Sequence, residues 1–315
     1  MATPGVPPPR EAGLGVARCC TATPIIGTCG SKRPAGDRHV RLGRSELVPG
    51  PRLAASEWPW RLAQAGATGL EPALLSPGAR VRRSTETILA SLNTHGGRDA
   101  GGRRYDLEAA CREFKADIIV LQEVWRPHGE PNPVDEIAAA LGAEPLWTDL
   151  IRDVDLDRVG IADERTRGRW GLATLTTAPV LGFEVTDLGR IPGDLAPRAA
   201  QHVTIELPGG GALRIVNTHL THRLLSPVQL FRLVRRLVID DVPTVIAGDL
   251  NMPLPVTGLA VGYAPAVSGH TYPAHRPLLQ LDHILASRRV ARRGGEVLPP
   301  VGSDHLPVRA RLQLR

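Results

Sequence analysis

Six places in this 315-residue chain carry side chains able to do acid–base or metal chemistry: Asn93 with His95, Glu123, His219, Asp249 with Asn251, Asp282 with His283, and Asp304 with His305. Each borders an apolar run. Carboxylates, amides and imidazoles with no cysteine among them suit a hard, oxygen-preferring cation such as Mg²⁺ working beside acid–base histidines. Zinc would call for more sulfur and nitrogen at closer spacing. The pattern centres on residues 244–251, where small and β-branched residues run into Gly248-Asp249-Leu250-Asn251. A spacing of two places Asp249 and Asn251 on one face of an extended backbone, and Gly248 leaves that backbone open to close approach by a ligand. Taken singly, each group has an ordinary structural explanation. Asn93 can be a turn residue before Gly96-Gly97, Glu123 a strand-end charge in water, His219 a satisfied core histidine, and Ser303-Asp304 a turn cap. It is their joint placement at the ends of apolar strands that favours a reaction centre.

The elements that must position these groups follow from hydrophobic periodicity. Strands are predicted over 85–93 and 117–122, the second ending at Glu123, with helices over 103–115 and 134–141. The charged stretch 152–169 reads as a mobile loop or strand-edge region. Further strands are predicted over 170–176, 180–187, 199–207 and 213–219, the last two joined by the hairpin signal Pro208-Gly209-Gly210-Gly211. Ser226-Pro227 has the form of an N-cap followed by proline at the first helical position. The helix after it would turn Val228, Phe231, Val234, Leu237 and Val238 toward a sheet. Strands over 280–285 and 307–314 complete the set. Hairpin-connected strands with interspersed helices, and no interior linker, predict a single domain over 84–315 made of two packed sheets flanked by helices.

Charge and cysteine usage separate the N-terminal segment from this domain. Residues 1–84 hold 12 Arg/Lys against 5 Asp/Glu, whereas the remainder holds 26 against 27. Residues 1–83 are rich in Pro, Gly, Arg and Ala without a sustained period, which predicts a disordered basic extension or an upstream stretch added by a misplaced start codon. Scarce lysine beside abundant arginine reflects base composition rather than phosphate recognition. Cys19, Cys20 and Cys29 lie in the extension and Cys111 in a predicted helix. Only His39 could complete a zinc site there, so free thiols in a reducing compartment are the better explanation. With no secretory signal and no apolar run near the roughly 20 residues of a membrane span, a cytoplasmic protein is expected.

The blocks Leu92-Asn93, Leu121-Gln122-Glu123-Val124, Asn217-Thr218-His219-Leu220, Gly248-Asp249-Leu250-Asn251, Leu281-Asp282-His283-Ile284 and Ser303-Asp304-His305-Leu306-Pro307-Val308 together resemble the endonuclease/exonuclease/phosphatase superfamily. They occur in that family's order across nearly all of 85–315. The resemblance implies a four-layer α/β/β/α sandwich and hydrolysis of a phosphoester with a divalent metal, Mg²⁺ with Mn²⁺ as substitute. It implies Glu123 as the main metal ligand, with Asn93 beside it and Asp304 reached directly or through water. His305 resembles the catalytic histidine, oriented by Asp282. Asp249 and Asn251 would hold the nucleophile and a phosphoryl oxygen, and His219 would stabilise the transition state or protonate the leaving group. Either His305 or Asp249 could be the base. Arg198, Tyr272 and His95 are expected to meet substrate, with a packed aromatic the stronger reading for Tyr272 and a structural role favoured for His283. Arg165, Arg167, Arg169 and Arg198 would form a phosphate-binding rim.

The family acts on many phosphoesters, so the fold does not name the substrate. A phosphodiesterase or nuclease ranks first, although the near-neutral domain speaks mildly against a non-specific DNA binder. A phospholipid or inositol-phosphate esterase ranks second. A nucleic-acid-binding protein working through its basic arm, with little catalysis, is the alternative of another class. A catalytically retired binding module fits poorly, because every matched position holds a competent residue. A monomer is expected.

Overall fold

The structure is a computed structural model that describes residues 86–161, 166–237 and 242–315. The expectations for residues 1–83, Arg165 and Val238 fall outside the described residues. Two six-stranded sheets make the fold. In chain order the elements are β1 (Glu86–Asn93), α1 (Leu107–Glu113), β2 (Ile118–Pro127), α2 (Pro133–Leu141), β3 (Glu144–Asp155), β4 (Arg167–Thr176), β5 (Val180–Gly189), β6 (Arg198–Glu206), β7 (Ala212–Thr218), α3 (Ser226–Leu237), β8 (Thr244–Asp249), β9 (Tyr263–Pro265), β10 (Asp282–Ser287), β11 (Val290–Val297) and β12 (Val308–Leu314). The first sheet has the order β11-β12-β1-β2-β4-β3 and the second β5-β6-β7-β8-β10-β9.

Topology explains why so many polar groups meet at one edge. β1 runs parallel to β2, and β7 parallel to β8, so the C-terminal ends of β1, β7 and β8 carry Asn93, His219 and Asp249 outward. β10 is antiparallel to β8, with Asp282 in register with Asp249, so its first residue lies where β8 ends. β12 is antiparallel to β1, which brings the loop holding Asp304 and His305 to the same edge.

Three apolar layers hold the sheets. Leu89, Val120, Ile215, Val245, Ile284 and Leu312 are fully buried between the sheets. Phe114 from beside α1 and Ile137 from α2 cover the outer face of the first sheet against Ile119 and Leu121. Leu230 and Leu233 from α3 cover the second against Val216 and Ile246. The result is the expected α/β/β/α layering.

Across the sheet–sheet layer, on the site side, runs a buried polar clamp. Gln122 Nε2 donates to Asn217 Oδ1 at 2.8 Å, and Asn217 Nδ2 donates to the Ala173 carbonyl at 2.9 Å. Thr174 Oγ1 donates to Gln201 Oε1 at 2.6 Å, while Gln201 Nε2 donates to the Leu146 carbonyl at 2.9 Å. Satisfied in both sheets, these amides fix how one sheet lies on the other.

Several expected elements are corrected. The first helix begins only at Leu107, capped by the Asp106 carboxylate accepting from Ala109 N–H at 2.9 Å, because the preceding residues are turned around Asp99. Of the stretch 152–169, expected as a mobile loop or strand-edge region, both ends belong to strands, β3 and β4, and β11 was not anticipated. On α3 the buried face is Ser226, Gln229, Leu230, Leu233, Val234 and Leu237, while Val228 and Phe231 face solvent. A strict spacing of three drifts by about 60° per step on a helix of 3.6 residues per turn, so Val228 and Leu237 end on opposite sides.

Candidate active site

Asn93, His95, Glu123, His219, Asp249, Asn251, Tyr272, Asp304 and His305 line one cleft of about 420 Å³, together with Arg198 and Trp170. Asp282 is fully buried behind it. A larger hollow of about 790 Å³ is lined by Glu86, Asp117 and the β6–β7 hairpin and has no histidine.

Backbone strain places several of these groups. Among the described residues four non-glycines have positive φ, and three are in the cleft: His95 (47°), Glu123 (52°) and Asn251 (50°). Each such residue costs about 1–3 kcal/mol and persists only where its surroundings enforce it. Glu123 therefore does not end a strand. It sits in a bulge of β2, where the pairing with β4 slips between Leu121 and Val124. Thr94 holds the bulge, its hydroxyl donating to the carbonyls of Gln122 and Glu123 at 3.0 Å each. Asn251 likewise lies beyond β8, so the spacing-of-two argument fails for it. Its Nδ2 donates to the Leu220 carbonyl at 3.0 Å, and its N–H donates to Asp249 Oδ1 at 2.9 Å. Gly248 is required by protein rather than ligand, since a Cβ there would collide with the Thr218 carbonyl oxygen.

The acid–base groups form a chain. His305 Nδ1 lies 2.8 Å from Asp282 Oδ2, which leaves Nε2 toward Asp249 Oδ2 at 3.9 Å. Asp249 Oδ2 also accepts from Asn93 Nδ2 at 3.1 Å and lies 3.5 Å from His219 Nε2. The Thr271 hydroxyl accepts from the N–H of Leu281 and Asp282 at 3.0 and 3.2 Å, and Ser303 Oγ donates to the Asn93 carbonyl at 2.7 Å. These contacts tie the start of β10 to Thr271 and the His305 segment to the end of β1.

Electrostatics then divides the groups by charge. Burial pushes Asp249 up to about 7, with His305 opposing. Burial alone would lower His305, but the Asp282 and Asp249 carboxylates outweigh it and raise the imidazole to about 10. Burial and the Arg198 guanidinium drive His219 well below the ordinary histidine range, so it is a neutral imidazole. Glu123 is raised by burial, with His95 and His305 opposing.

Two sets of residues could hold a metal. Asp249, Asp282 and His305 each offer an atom within 4.8 Å of the others. Within that trio the 2.8 Å contact between His305 and Asp282 is a hydrogen bond that a cation would have to break. Glu123, Asp304 and Asn93 offer oxygen donors alone. A carboxylate that burial raises, as at Glu123, lacks the positive charge that a cation would supply.

The remaining positions sort clearly. Tyr272 packs against His305 in a tilted arrangement, ring centroids 4.7 Å apart at 44°. His95 Nδ1 is 3.2 Å from the Arg98 carbonyl and 3.9 Å from Asp304 Oδ1. His283 turns away, fully buried, with Nε2 2.8 Å from the Met252 carbonyl. Of the arginine rim, Arg167 pairs with Asp153, and Arg169 with Asp149 at 3.1 Å, so among the described residues Arg198 is the one arginine lining the cleft. Its guanidinium lies over Trp170, 5.8 Å from the ring centroid, and its Nε is 3.8 Å from Asp194 Oδ2. Arg198 Nε and Nη1 have no hydrogen-bond partner among the described residues. Asp194, buried and accepting from Thr221 Oγ1 at 2.7 Å, was missed in the sequence, where it is one acid in a Pro/Gly-rich loop.

No helix among the described residues is long and apolar enough to cross a membrane. Among curated proteins none matches the sequence. Solved structures share the fold. An endonuclease/exonuclease/phosphatase from Beutenbergia cavernae is 22% identical, with a TM-score of 0.59 over 74% of this chain and 72% of that one. The human Nocturnin catalytic domain with bound sulfate is 18% identical, TM-score 0.57, over 75% and 97%. A mannosyl-6-phosphatase from Bacteroides thetaiotaomicron is 17% identical, TM-score 0.55, over 72% and 99%. The family profile described as Endonuclease/Exonuclease/phosphatase matches residues 90–305, a span that contains the polar residues of all six blocks. The chain therefore belongs to the Endonuclease/Exonuclease/phosphatase family, a membership that supports hydrolysis of a phosphoester.

Proposed function

We propose that the protein is a divalent-metal-dependent phosphodiesterase or nuclease, in which water activated at the Asp249–His305 pair attacks phosphorus in line with the leaving oxygen. The observation that carries this reading is the buried Asp282–His305 contact at 2.8 Å, aimed so that Nε2 faces Asp249 at 3.9 Å. An imidazole held through Nδ1 by a carboxylate has its tautomer and direction fixed, which proton transfer at Nε2 requires. Water within reach of Asp249 Oδ2 and His305 Nε2 would give its proton to the Asp249 carboxylate, raised to about 7, as the oxygen–phosphorus bond forms, with the charged His305 imidazole steadying the attacking oxygen. As the bond to the leaving oxygen breaks, neutral His219 would donate a hydrogen bond to the developing anion. Arg198 and Asn251 would hold phosphoryl oxygens, with Arg198 supplying charge from a site where burial has removed competing water.

Glu123, Asn93 and Asp304 fit a hard cation, so Mg²⁺, or Mn²⁺ in its place, would be held there and would neutralise phosphoryl charge. Tyr272 and His95 would border the substrate. Assays with Mg²⁺ across abasic DNA, single-stranded DNA, RNA, sphingomyelin and inositol phosphates test the reading. Turnover of a nucleic acid that stops in EDTA is expected. Turnover confined to the lipid or inositol substrates would overturn the nuclease ranking and leave the reaction class standing, whereas turnover unaffected by EDTA would contradict the metal dependence.

A further inference from the structure

The outer face of α3 and the turn that leads into it carry side chains that the core does not use. Leu224 is 97% exposed, Leu225 44%, Val228 41% and Phe231 48%. Single exposed leucines are ordinary, but Val228 and Phe231 share one face of α3 and, with Leu224 in the turn just before the helix, form one apolar stripe. Arg232 and Arg235 extend that stripe, Arg223 and Arg236 flank it, and α3 contains no acidic residue. The Arg235 guanidinium lies 5.8 Å from the Phe231 ring centroid.

This surface reaches the cleft. His222 and Leu195, the latter 55% exposed, both line the cleft. Their two loops are tied together by Thr221 Oγ1 donating to Asp194 Oδ1 at 2.7 Å and Arg223 Nη2 donating to the Gly193 carbonyl at 2.9 Å. An apolar collar edged with arginine thus runs from α3 to the rim of the site.

We propose that this collar docks the protein on an anionic phospholipid bilayer. An exposed helix face that combines large apolar side chains with arginines, and has no carboxylates, has the composition of a helix that lies in a membrane interface. The arginines match the negative headgroups, and Leu224, Val228 and Phe231 gain by entering the acyl boundary. A nucleic acid fits less well, because Leu224 and Val228 offer it neither stacking nor hydrogen bonds. Docking does not depend on the reaction. Joined to the hydrolase reading, and resting on it, docking would bring the cleft rim to the headgroups.

The test uses the full chain carrying Phe231→Trp and phosphatidylcholine vesicles with and without phosphatidylglycerol. Against the five tryptophans of the unsubstituted protein, the substitution is expected to add a blue-shifted signal that acyl-brominated lipids quench. That signal should need phosphatidylglycerol and weaken with salt. The double substitution Leu224→Glu/Phe231→Glu is expected to lower vesicle sedimentation severalfold while turnover of a soluble phosphodiester is unchanged. No added quenching, sedimentation unchanged in the double variant, or a blue shift without vesicles (which would assign the face to a second copy of the chain) would each overturn the proposal. Docking is read from quenching and hydrolysis from turnover, so the two fail separately.

Discussion

His305 is held by Asp282 at 2.8 Å, and the interaction is sensitive to single-atom changes. Asp282→Asn keeps the shape but offers an amide to Nδ1, so the ring can be held in the wrong tautomer. A fall in kcat of about 10²–10⁴ is expected, with little change in KM, as for loss of a positioned acid–base group. An unchanged kcat would show that Asp282 does not orient the ring. In the proposed reading Asp194 would act one step further from substrate, through Arg198, whose Nε lies 3.8 Å from its Oδ2. Asp194→Asn is expected to raise KM about tenfold, the equivalent of about 1.4 kcal/mol, with kcat nearly kept. A fall in kcat at constant KM would contradict that positioning role. At this scale the six polar blocks were legible because each borders its own apolar strand. Asp194 was not, because what marks it is a contact with Thr221, 27 residues away. Nor did the residue types reveal that Glu123 and Asn251 have left-handed backbones at φ 52° and 50°.

The strands and the clamp between the sheets set the geometry those residues use. Asn217 is fully buried and serves Leu121, Gln122 and Ala173, so Asn217→Ala strands several polar groups in the interior. A loss of about 1–3 kcal/mol in urea unfolding is expected, and an unchanged midpoint would show that the clamp does not hold the sheets. Elements with clean patterns were legible. β8 is buried at every residue, and β12 alternates at Val308, Ala310 and Leu312. β3 was not legible, because it is an edge strand with most positions half-buried, which erases the two-residue alternation. β11 hides behind Arg292-Arg293-Gly294-Gly295-Glu296, exposed residues with no apolar face. For α3 the helix was right and the face right in part, since Val234 and Leu237 are buried while the apolar residues at 228 and 231 point outward rather than to the sheet.

For the whole molecule, pH acts through histidines buried without charge. Burial lowers His283 below its ordinary 6.5, so the folded form resists protonation while the unfolded chain accepts it. Its stabilisation is therefore present above pH 6.5 and is lost as pH falls toward the folded value, at up to about 1.4 kcal/mol per pH unit for one proton. The raised carboxyls of Glu123 and Asp249 act in the opposite sense, so the histidine effect is isolated by difference. Unfolding free energies between pH 7.5 and 5 should fall more steeply for the unsubstituted protein than for His283→Gln, and equal slopes would exclude His283 as a source. The layered architecture was legible from alternating strands and short helices, whereas the exposed side of α3 follows only from seeing which face the sheet takes. The central claim, phosphoester hydrolysis at the Asp249–Asp282–His305 cluster, is tested most directly by turnover of bis-p-nitrophenyl phosphate with Mg²⁺, comparing the unsubstituted protein with His305→Ala. The expected result is turnover that EDTA abolishes and that His305→Ala lowers by about 10² or more; turnover that survives both the chelator and the substitution would contradict it.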